Sequence, residues 1–337
     1  MSPSGTRKPH HRPGGGFRNP WPNAAPAGLR GLLKWRFVDR LIHPIPRNGM
    51  PVGRPPVPSA FVSPRAPADT LVLTWIGHAT FLIQIGGLNL ITDPMFGSRA
   101  SPLPFAGPRR HVPPAIDLDA LPPLDGVLLS HNHYDHLDDH SVRRLAARHP
   151  AAAWFAPLGV AAFLARRGAR QVRELDWWEE TRLGSLALAC TPAQHFSARS
   201  MQDRDETLWC GWSVAAAARQ LFFAGDTGHH PEFAAIGERF GPFHAALLPI
   251  GAYEPRWFMR PVHMNPEDAV QAYRELHQSR PPIGGRPAVM VGMHWGTFRL
   301  TDEPLDEPPA RARAAWEAAG LHPERLWLLG HGESRTL

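Results

Sequence analysis

The sequence is poor in cysteine and has no long apolar run. Its 337 residues include only Cys190 and Cys210, so a disulfide framework does not organise the fold, and a reducing compartment is compatible with this composition. No segment reaches the roughly 18 uncharged apolar residues that a transmembrane helix needs. Residues 1–22 carry charge but lack the apolar core of a secretory signal. These absences predict a cytoplasmic protein.

The chain has a modest excess of positive charge, with 36 Lys and Arg against 30 Asp and Glu. A basic balance favours anionic partners such as phosphate esters, nucleic acid or acidic membrane surfaces. An arginine-rich and proline-rich composition explains the same excess without any partner. We find no basic and aromatic recognition module, so no nucleic-acid partner is expected.

Composition divides the chain into an arm, residues 1–68, and a catalytic domain, residues 69–337. Residues 1–26 are rich in Pro, Gly, Arg and His, which predicts disorder. Residues 31–42 then show apolar residues at helical spacing, with basic residues largely off that face. Such a helix can lie on an anionic bilayer, at the inner face of the membrane, or pack on its own protein. The apolar face consists of Leu33, Phe37, Val38, Leu41 and Ile42.

The most informative stretch is SHNHYDHLD at residues 130–138, directly after the apolar run GVLL. An apolar run that ends in serine indicates a buried strand followed by a loop, whose side chains can point into one cavity. His131 and His133 alternate and can bind one cation, whereas Asp135 and His136 can bind a second. Imidazole and carboxylate ligands suit zinc, although iron or manganese can occupy such sites. The pattern predicts two divalent ions, with zinc favoured.

Further ligands are expected at the ends of later strands, because one short loop cannot complete two sites. His195 and His294 each follow an apolar strand-like run, and Asp226 follows another between flanking glycines. Each histidine alone is as often a structural one. We predict that His131, His133 and His195 hold one ion, that Asp135, His136 and His294 hold the other, and that Asp226 bridges them.

Two divalent ions can activate a shared water as hydroxide and clamp a phosphodiester. We therefore assign catalytic roles to Asp135 and Asp226, and we expect His263 to pass a proton to the leaving group. Asp138 is expected to orient a ligand histidine from behind. The predicted substrate-binding residues are Tyr134, Arg199, Tyr253, Trp257 and His331. Arg199 would clamp phosphate and Trp257 would contact an acyl chain, although a solvated arginine and a packed tryptophan explain both residues as well.

The order of these ligands resembles that of the metallo-β-lactamase superfamily. Within it, the chain is similar to the N-acylphosphatidylethanolamine-hydrolysing phospholipases D, from about residue 69 to the carboxyl terminus. The likeness lies in residues 75–79, 92–96, 129–138, 174–180, 222–228, 249–259, 294–298 and 331–335. The resemblance implies an α/β fold built as a four-layered αββα sandwich. It also implies hydrolysis of a phospholipid to phosphatidic acid and an N-acylethanolamine.

Three functions fit the sequence. The first is this phospholipase D, and the second is another hydrolase on the same scaffold, acting on a sugar-phosphate lactone or a nucleic-acid phosphodiester. The third is a binding protein without catalytic activity, which the complete ligand set disfavours, because buried carboxylates and imidazoles are costly without a metal. The sequence leaves open whether the chain forms a homodimer.

Overall fold

The fold places two seven-stranded β-sheets face to face, with helices on both outer surfaces. It is seen in a computed structural model, which describes residues 8–22, 24–42, 57–200, 202–279 and 288–337. Alternate side chains of each strand point into the space between the sheets or toward the helices. In β1 (Leu71–Gly77), for example, Leu73 and Trp75 face the second sheet, whereas Ile76 faces the helices.

The first sheet has the strand order β14-β1-β2-β3-β4-β5-β6. Its strands β3, β4 and β5 run parallel, so their carboxyl ends meet at one edge of the sheet. The other strand bounds are β2 (Thr80–Ile85), β3 (Leu88–Thr92), β4 (Gly126–Leu128), β5 (Ala153–Pro157), β6 (Gln171–Leu175) and β14 (Ser334–Thr336).

The second sheet has the order β13-β12-β11-β10-β9-β8-β7. Strands β10 to β13 run parallel, which again brings strand ends to a common edge. The bounds are β7 (Glu180–Leu183), β8 (Leu186–Thr191), β9 (Gly211–Ala215), β10 (Gln220–Phe223), β11 (Ala245–Pro249), β12 (Val289–Met293) and β13 (Leu326–Trp327).

The helices complete the four layers. Apolar residues of α3 and α4 pack on the outer face of the first sheet, and those of α5, α7 and α8 pack with the second. The four-layered αββα sandwich predicted from the resemblance is therefore confirmed. The helices are α1 (Leu29–Leu33), α2 (Arg40–Ile42), α3 (Asp139–Arg148), α4 (Ala161–Ala165), α5 (Phe233–Phe240), α6 (Arg256–Met259), α7 (Pro266–His277) and α8 (Glu307–Ala318).

The helix expected at residues 31–42 is present, although its centre differs from a regular α-helix. A π-helix, Lys34–Asp39, joins α1 to α2, and we call residues 29–42 the N-terminal helix. Among the described residues, no helix is long and apolar enough to span a bilayer.

One strand is shorter than its sequence indicates. The sequence ELDWW at residues 174–178 indicates a strand, but β6 ends at Leu175 and the chain turns at Asp176. Trp178 adopts a positive φ of 71°, a conformation that a strand cannot continue through. Asp176 is nearly buried and serves as an anchor for a distant part of the chain.

The predicted disorder of the amino terminus is wrong for residues 8–22, which we call the strap. The strap packs against the catalytic domain, and its Phe17 joins the main core. Asp176 fixes one end of it, because the carboxylate lies 2.7 Å from His10 Nε2 and 2.8 Å from both His11 Nε2 and Lys8 Nζ. Composition indicates disorder when too little apolar surface is available, and here specific polar contacts supply the missing stabilisation. The division at residue 68 stays a prediction.

We predict that Asp176→Asn destabilises the strap by about 1.5 to 3 kcal/mol, because an amide N–H would face the donors of His10 and Lys8. Burial opposes ionisation of Asp176, but its bonds to His10 and Lys8 hold its pKa below the ordinary value. The stabilisation that the ionised Asp176 carboxylate supplies is therefore complete above the unfolded pKa of about 3.9. It is lost as the pH falls below that value. Urea unfolding and limited proteolysis of the strap measure both effects.

Glu179→Gln is the matched control, because Glu179 is an exposed carboxylate 3.5 Å from the same lysine. We expect it to change the free energy of unfolding by less than about 0.5 kcal/mol. Equal effects of the two substitutions would contradict the assignment of Asp176 as the anchor.

Candidate metal centre

The predicted ligands lie where the carboxyl ends of strands from both sheets meet. The loop after β4 carries the HNHYDH sequence, and Asp226 and His294 follow the parallel strands β10 and β12. Gly225, just before Asp226, has φ of 60°, and a Cβ there would lie 2.5 Å from the Cβ of Ser130. Only glycine allows this close approach between the two sheets.

The first cluster consists of three imidazoles. His133 Nδ1 lies 2.8 Å from His131 Nε2 and 3.1 Å from His195 Nε2. The ligand atoms of all three residues lie within 4.8 Å of one another, as one cation requires. The structure therefore brings together the three residues that the sequence analysis assigned to one ion.

The second cluster combines a carboxylate with imidazoles. Asp135 Oδ2 lies 3.4 Å from His136 Nε2 and 3.5 Å from His294 Nε2. His78 joins them, since its Nε2 is 2.9 Å from the same oxygen. Sequence reasoning assigned the first three residues to the second ion and missed His78.

Asp226 lies between the two clusters. Its Oδ2 is 3.1 Å from Nε2 of both His136 and His294 and 3.9 Å from His195 Nε2. His263 Nδ1 lies 3.9 Å from the same oxygen. A single carboxylate thus faces imidazoles from both clusters, which is the arrangement expected of a bridging ligand.

A hydrogen-bonded chain behind the ligands sets their tautomers. Ser130 Oγ–H donates to Asp93 Oδ2 at 2.5 Å, so Ser130 Oγ accepts the hydrogen bond from His131 Nδ1–H at 2.8 Å. His136 Nδ1–H donates to the same Asp93 oxygen at 2.7 Å. Both histidines therefore present an Nε2 lone pair to the clusters.

Asp93, not Asp138, orients ligand histidines. The expected role of Asp138 is wrong, because its carboxylate accepts hydrogen bonds from the amide and hydroxyl of Ser141 and caps α3. The position of Asp93 could have indicated this role, because Asp93 directly follows β3 at the edge where the loop after β4 begins.

Backbone strain concentrates around the second cluster. His78, Asp93 and His294 have φ values of 56°, 30° and 64°, in a region that residues other than glycine rarely adopt. Strained backbone of this kind persists where surrounding contacts enforce it, and it clusters at functional sites.

The carboxylates and imidazoles perturb one another. Burial alone would raise the pKa of Asp226, but the facing His136 and His294 lower it well below the ordinary value. Burial lowers the pKa of His133 to about 3, which leaves its ring neutral. Burial also opposes the charge on His294, yet Asp226 and Asp135 raise its pKa to about 9. Without another cation, protonated imidazoles supply the positive charge that the two carboxylates require.

Several buried polar atoms of the clusters have no hydrogen-bond partner in the part of the chain that the structure describes. Buried polar atoms without partners are rare and indicate an absent ion or water. Their chemistry, imidazole nitrogens and a carboxylate oxygen, fits divalent metal ions. These atoms are His78 Nδ1, His136 Nε2, His263 Nδ1, His294 Nδ1 and Nε2, and Asp226 Oδ1.

A cavity of about 760 Å³ leads from the clusters to the N-terminal helix. Polar groups of His133, Asp135 and Asp226 form part of its lining. The remaining wall is largely apolar and includes Leu29, Leu32, Trp35, Phe196, Phe258, Met259 and Val262. A pocket with a few convergent polar groups and an apolar wall is typical of a ligand site.

The five predicted substrate-binding residues do not line this cavity. The guanidinium of Arg199 donates to the carbonyl oxygens of Asn132 and Leu137 and lies 4.0 Å from the Tyr134 ring, so it braces the metal-ligand loop. The Tyr134 hydroxyl donates to the Arg199 carbonyl at 2.8 Å. These bonds explain both residues without a substrate.

The other three predicted contacts also have structural partners. Tyr253 donates its hydroxyl hydrogen bond to Glu307 Oε1 at 2.6 Å. Trp257 donates from Nε1 to Asp39 Oδ2 at 3.0 Å and so holds the N-terminal helix. His331 stacks on Trp75 and lies 2.9 Å from Thr297 Oγ1.

Comparisons with known proteins agree with this architecture. Residues 88–295, more than half of the chain, match the family described as the beta-lactamase superfamily domain, and the chain belongs to that superfamily. The solved structure of Igni18, a metallo hydrolase from the archaeon Ignicoccus hospitalis, superposes with a TM-score of 0.59 at 26% identity. The superposition covers 80% of this chain and 98% of the Igni18 chain.

Curated relatives share more of the sequence. N-acyl-phosphatidylethanolamine-hydrolyzing phospholipase D 1 of Caenorhabditis elegans is 40% identical over 74% of this chain and 70% of its own length. An uncharacterized protein of Mycobacterium tuberculosis is 42% identical over 85% of this chain and 73% of its length. A Methanopyrus kandleri relative at 28% identity is named a metal-dependent hydrolase and covers 78% of this chain and 98% of its own length. The chain is accordingly a metal-dependent hydrolase of the β-lactamase superfamily, as the ligand pattern predicted.

We predict that the purified protein retains two divalent ions per chain. His133→Ala removes a ligand of the first cluster, so one of the two ions should be lost. Asp226→Asn should lower the metal affinity of both sites by at least about 100-fold, because it removes the charge that both clusters share. Elemental analysis after equilibration with a chelator of known affinity measures these differences.

Asp119→Asn serves as the control, because Asp119 is an exposed carboxylate paired with Arg144. It should retain both ions. Two ions bound to Asp226→Asn with unchanged affinity would contradict the bridging assignment.

Proposed function

We propose that this hydrolase is a zinc-dependent phosphodiesterase of the phospholipase D type. Its substrates are N-acylphosphatidylethanolamine-like phospholipids, and its products are phosphatidic acid and an N-acylethanolamine. The observation that carries the proposal is the continuity of one cavity from Asp135 and Asp226 to the apolar wall formed by Leu29, Leu32 and Trp35. The 40% identity to a relative named for this activity supports the same substrate class.

The walls of the cavity match the parts of such a lipid. The exposed apolar side chains of Leu29 and Leu32 suit an acyl chain, whereas a free sugar phosphate or a nucleic-acid strand would place polar groups against them. Arg204 is the one lysine or arginine among the described lining residues. Its Nε lies 3.8 Å from Asp205, whose carboxylate already pairs with Arg12. The guanidinium is thus available to an anionic phosphodiester.

The reaction breaks the bond between phosphorus and the ethanolamine oxygen, while a water oxygen forms a new bond to phosphorus. Zinc bound by the two clusters would lower the pKa of water and stabilise charge on the phosphoryl oxygens. Asp135 and Asp226 keep the imidazoles in place and supply the negative charge that retains the metal. The ligand chemistry, imidazole with carboxylate, supports zinc.

His263 is our candidate for proton transfer. Its ring lines the cavity, its Nδ1 has no described partner, and it lies 3.9 Å from Asp226. Burial lowers its pKa well below the ordinary value, so the resting ring is neutral. A neutral imidazole can accept a proton from water and pass one to the departing oxygen.

We predict that the purified enzyme releases N-acylethanolamine and phosphatidic acid from the long-chain lipid, and that it hydrolyses a soluble phosphodiester far more slowly. Asp226→Asn and His133→Ala should lower kcat by at least about 1,000-fold, because each disrupts a metal cluster. Product identification by mass spectrometry measures the reaction. Equal turnover of the soluble and the long-chain substrate would rule out the lipid assignment while leaving the hydrolase intact.

We propose further that the N-terminal helix binds an anionic membrane surface beside the cavity. Of the two placements that the sequence left open, packing on the protein accounts for Trp35, the buried residue of this helix. Phe37, Leu41 and Ile42 are instead 65%, 82% and 65% exposed. A row of exposed apolar side chains beside basic ones is typical of a helix that lies in a bilayer interface.

The position of this helix connects the membrane to the active site. Leu29 and Leu32 line the cavity, so a lipid held by the helix enters the cavity directly. Trp257 and Arg40 fix the helix on the domain, through Asp39 and Asp302 respectively. The helix therefore has a defined orientation on the domain, and its apolar residues can enter the interface without unfolding it.

We expect the double substitution Phe37→Ser and Leu41→Ser to weaken binding to vesicles of anionic phospholipid about tenfold or more, because each removes about 1 to 2 kcal/mol of apolar burial. Turnover of the substrate in vesicles should fall, whereas turnover of a short-chain monomeric analogue should not. Vesicle sedimentation measures binding. Val62→Ser, an exposed apolar residue outside the helix, is the control, and equal loss in both proteins would contradict the proposal.

A further inference from the structure

The strap reaches the metal centre through Asn19. Its Nδ2 donates hydrogen bonds to the carbonyl oxygens of His195 and Ala24, each at 2.8 Å. Its Oδ1 accepts hydrogen bonds from the His195 amide and from Trp209 Nε1, each at 3.2 Å. An asparagine amide offers two donors and two acceptor positions, and all four are used here.

Asn19 therefore forms hydrogen bonds with both backbone polar groups of His195. The amide and the carbonyl of His195 belong to no strand, and Asn19 is their hydrogen-bond partner within the described residues. The ring is held separately, because His195 Nδ1–H donates to the carbonyl oxygen of Val262 at 2.8 Å. Nε2 is thereby directed at His133 and Asp226.

We propose that Asn19 is a positioning residue of the metal centre: it fixes the backbone of His195 and thereby completes the cluster of His131, His133 and His195. Nothing in this proposal depends on the lipid substrate. It gives the strap a role in metal binding that its proline-rich and glycine-rich composition does not indicate. Residues behind metal ligands typically change metal affinity by about 10- to 100-fold when they are substituted.

The effect should be selective between the two sites. Asn19 contacts His195 but none of the residues of the second cluster. Asn19→Ala should therefore lower the affinity for one of the two ions about 10- to 100-fold and leave the affinity for the other unchanged. A role that is only structural would lower stability without separating the two affinities.

The experiment is a competition titration of the full-length protein with Co²⁺ and a chromophoric chelator, read by the visible absorption of the two cobalt sites. Wild type gives two ions of defined affinity. Asn19→Ala should show one weakened site with an altered spectrum. Asn19→Asp provides a second, nearly isosteric variant, which keeps the acceptor but places a carboxylate oxygen against the carbonyls of His195 and Ala24.

Asp176→Asn is the matched control, because it loosens the same strap at its other anchor and does not touch His195. We expect it to lower the melting temperature while both cobalt affinities stay at the wild-type values. The proposal is overturned if Asn19→Ala and Asn19→Asp keep both affinities, or if they weaken the two sites equally. Selective loss at one site in both variants, with the control unaffected, establishes it.

Discussion

Two buried carboxylates surrounded by imidazoles are the constraint on which the rest of this structure depends. Asp135 and Asp226 lie at the junction of the two sheets, and no lysine or arginine of the described residues lies within 4 Å of either. Buried charge without a partner is expensive, so this arrangement requires cations. The strand ends, the strained turns and the glycine before Asp226 serve to bring these groups together. The same low-polarity surroundings would strengthen the field that bound ions exert on a substrate.

Most of the proposed ligands could be named from the sequence because of where the parallel strands end. Strands β4, β10 and β12 are continuous apolar runs, and the first polar residues after each reach the common edge of the sandwich. His78 lies in a turn between antiparallel strands, where a single histidine carries no comparable signal. Asp93 follows β3 at the same edge and could have been found by the rule that found Asp226.

The residues expected to bind substrate show why residue type is a weaker guide than position. Arg199 donates hydrogen bonds to carbonyl groups of the ligand loop, and Trp257 donates one to Asp39 of the N-terminal helix. Arginine and tryptophan suit both recognition and bracing, because each combines a large surface with hydrogen-bond donors. Sequence alone cannot separate these uses, since the deciding partners lie far along the chain. Arg204 was not singled out either, because the cavity that it faces is formed by residues from distant parts of the chain.

The amino terminus gives a second example of contacts that the sequence alone does not reveal, and these contacts reach the candidate site. Its composition indicates disorder, yet Asn19 contacts a residue 176 positions away and the N-terminal helix forms a wall of the cavity. Long-range polar contacts of this kind have no local pattern. The predicted boundary near residue 68 therefore describes a change in composition, while residues on both sides of it build the site. Asn19 lies only ten residues before Leu29 in the sequence, so one short stretch of the chain supplies both a hydrogen-bond partner of His195 and part of the cavity wall.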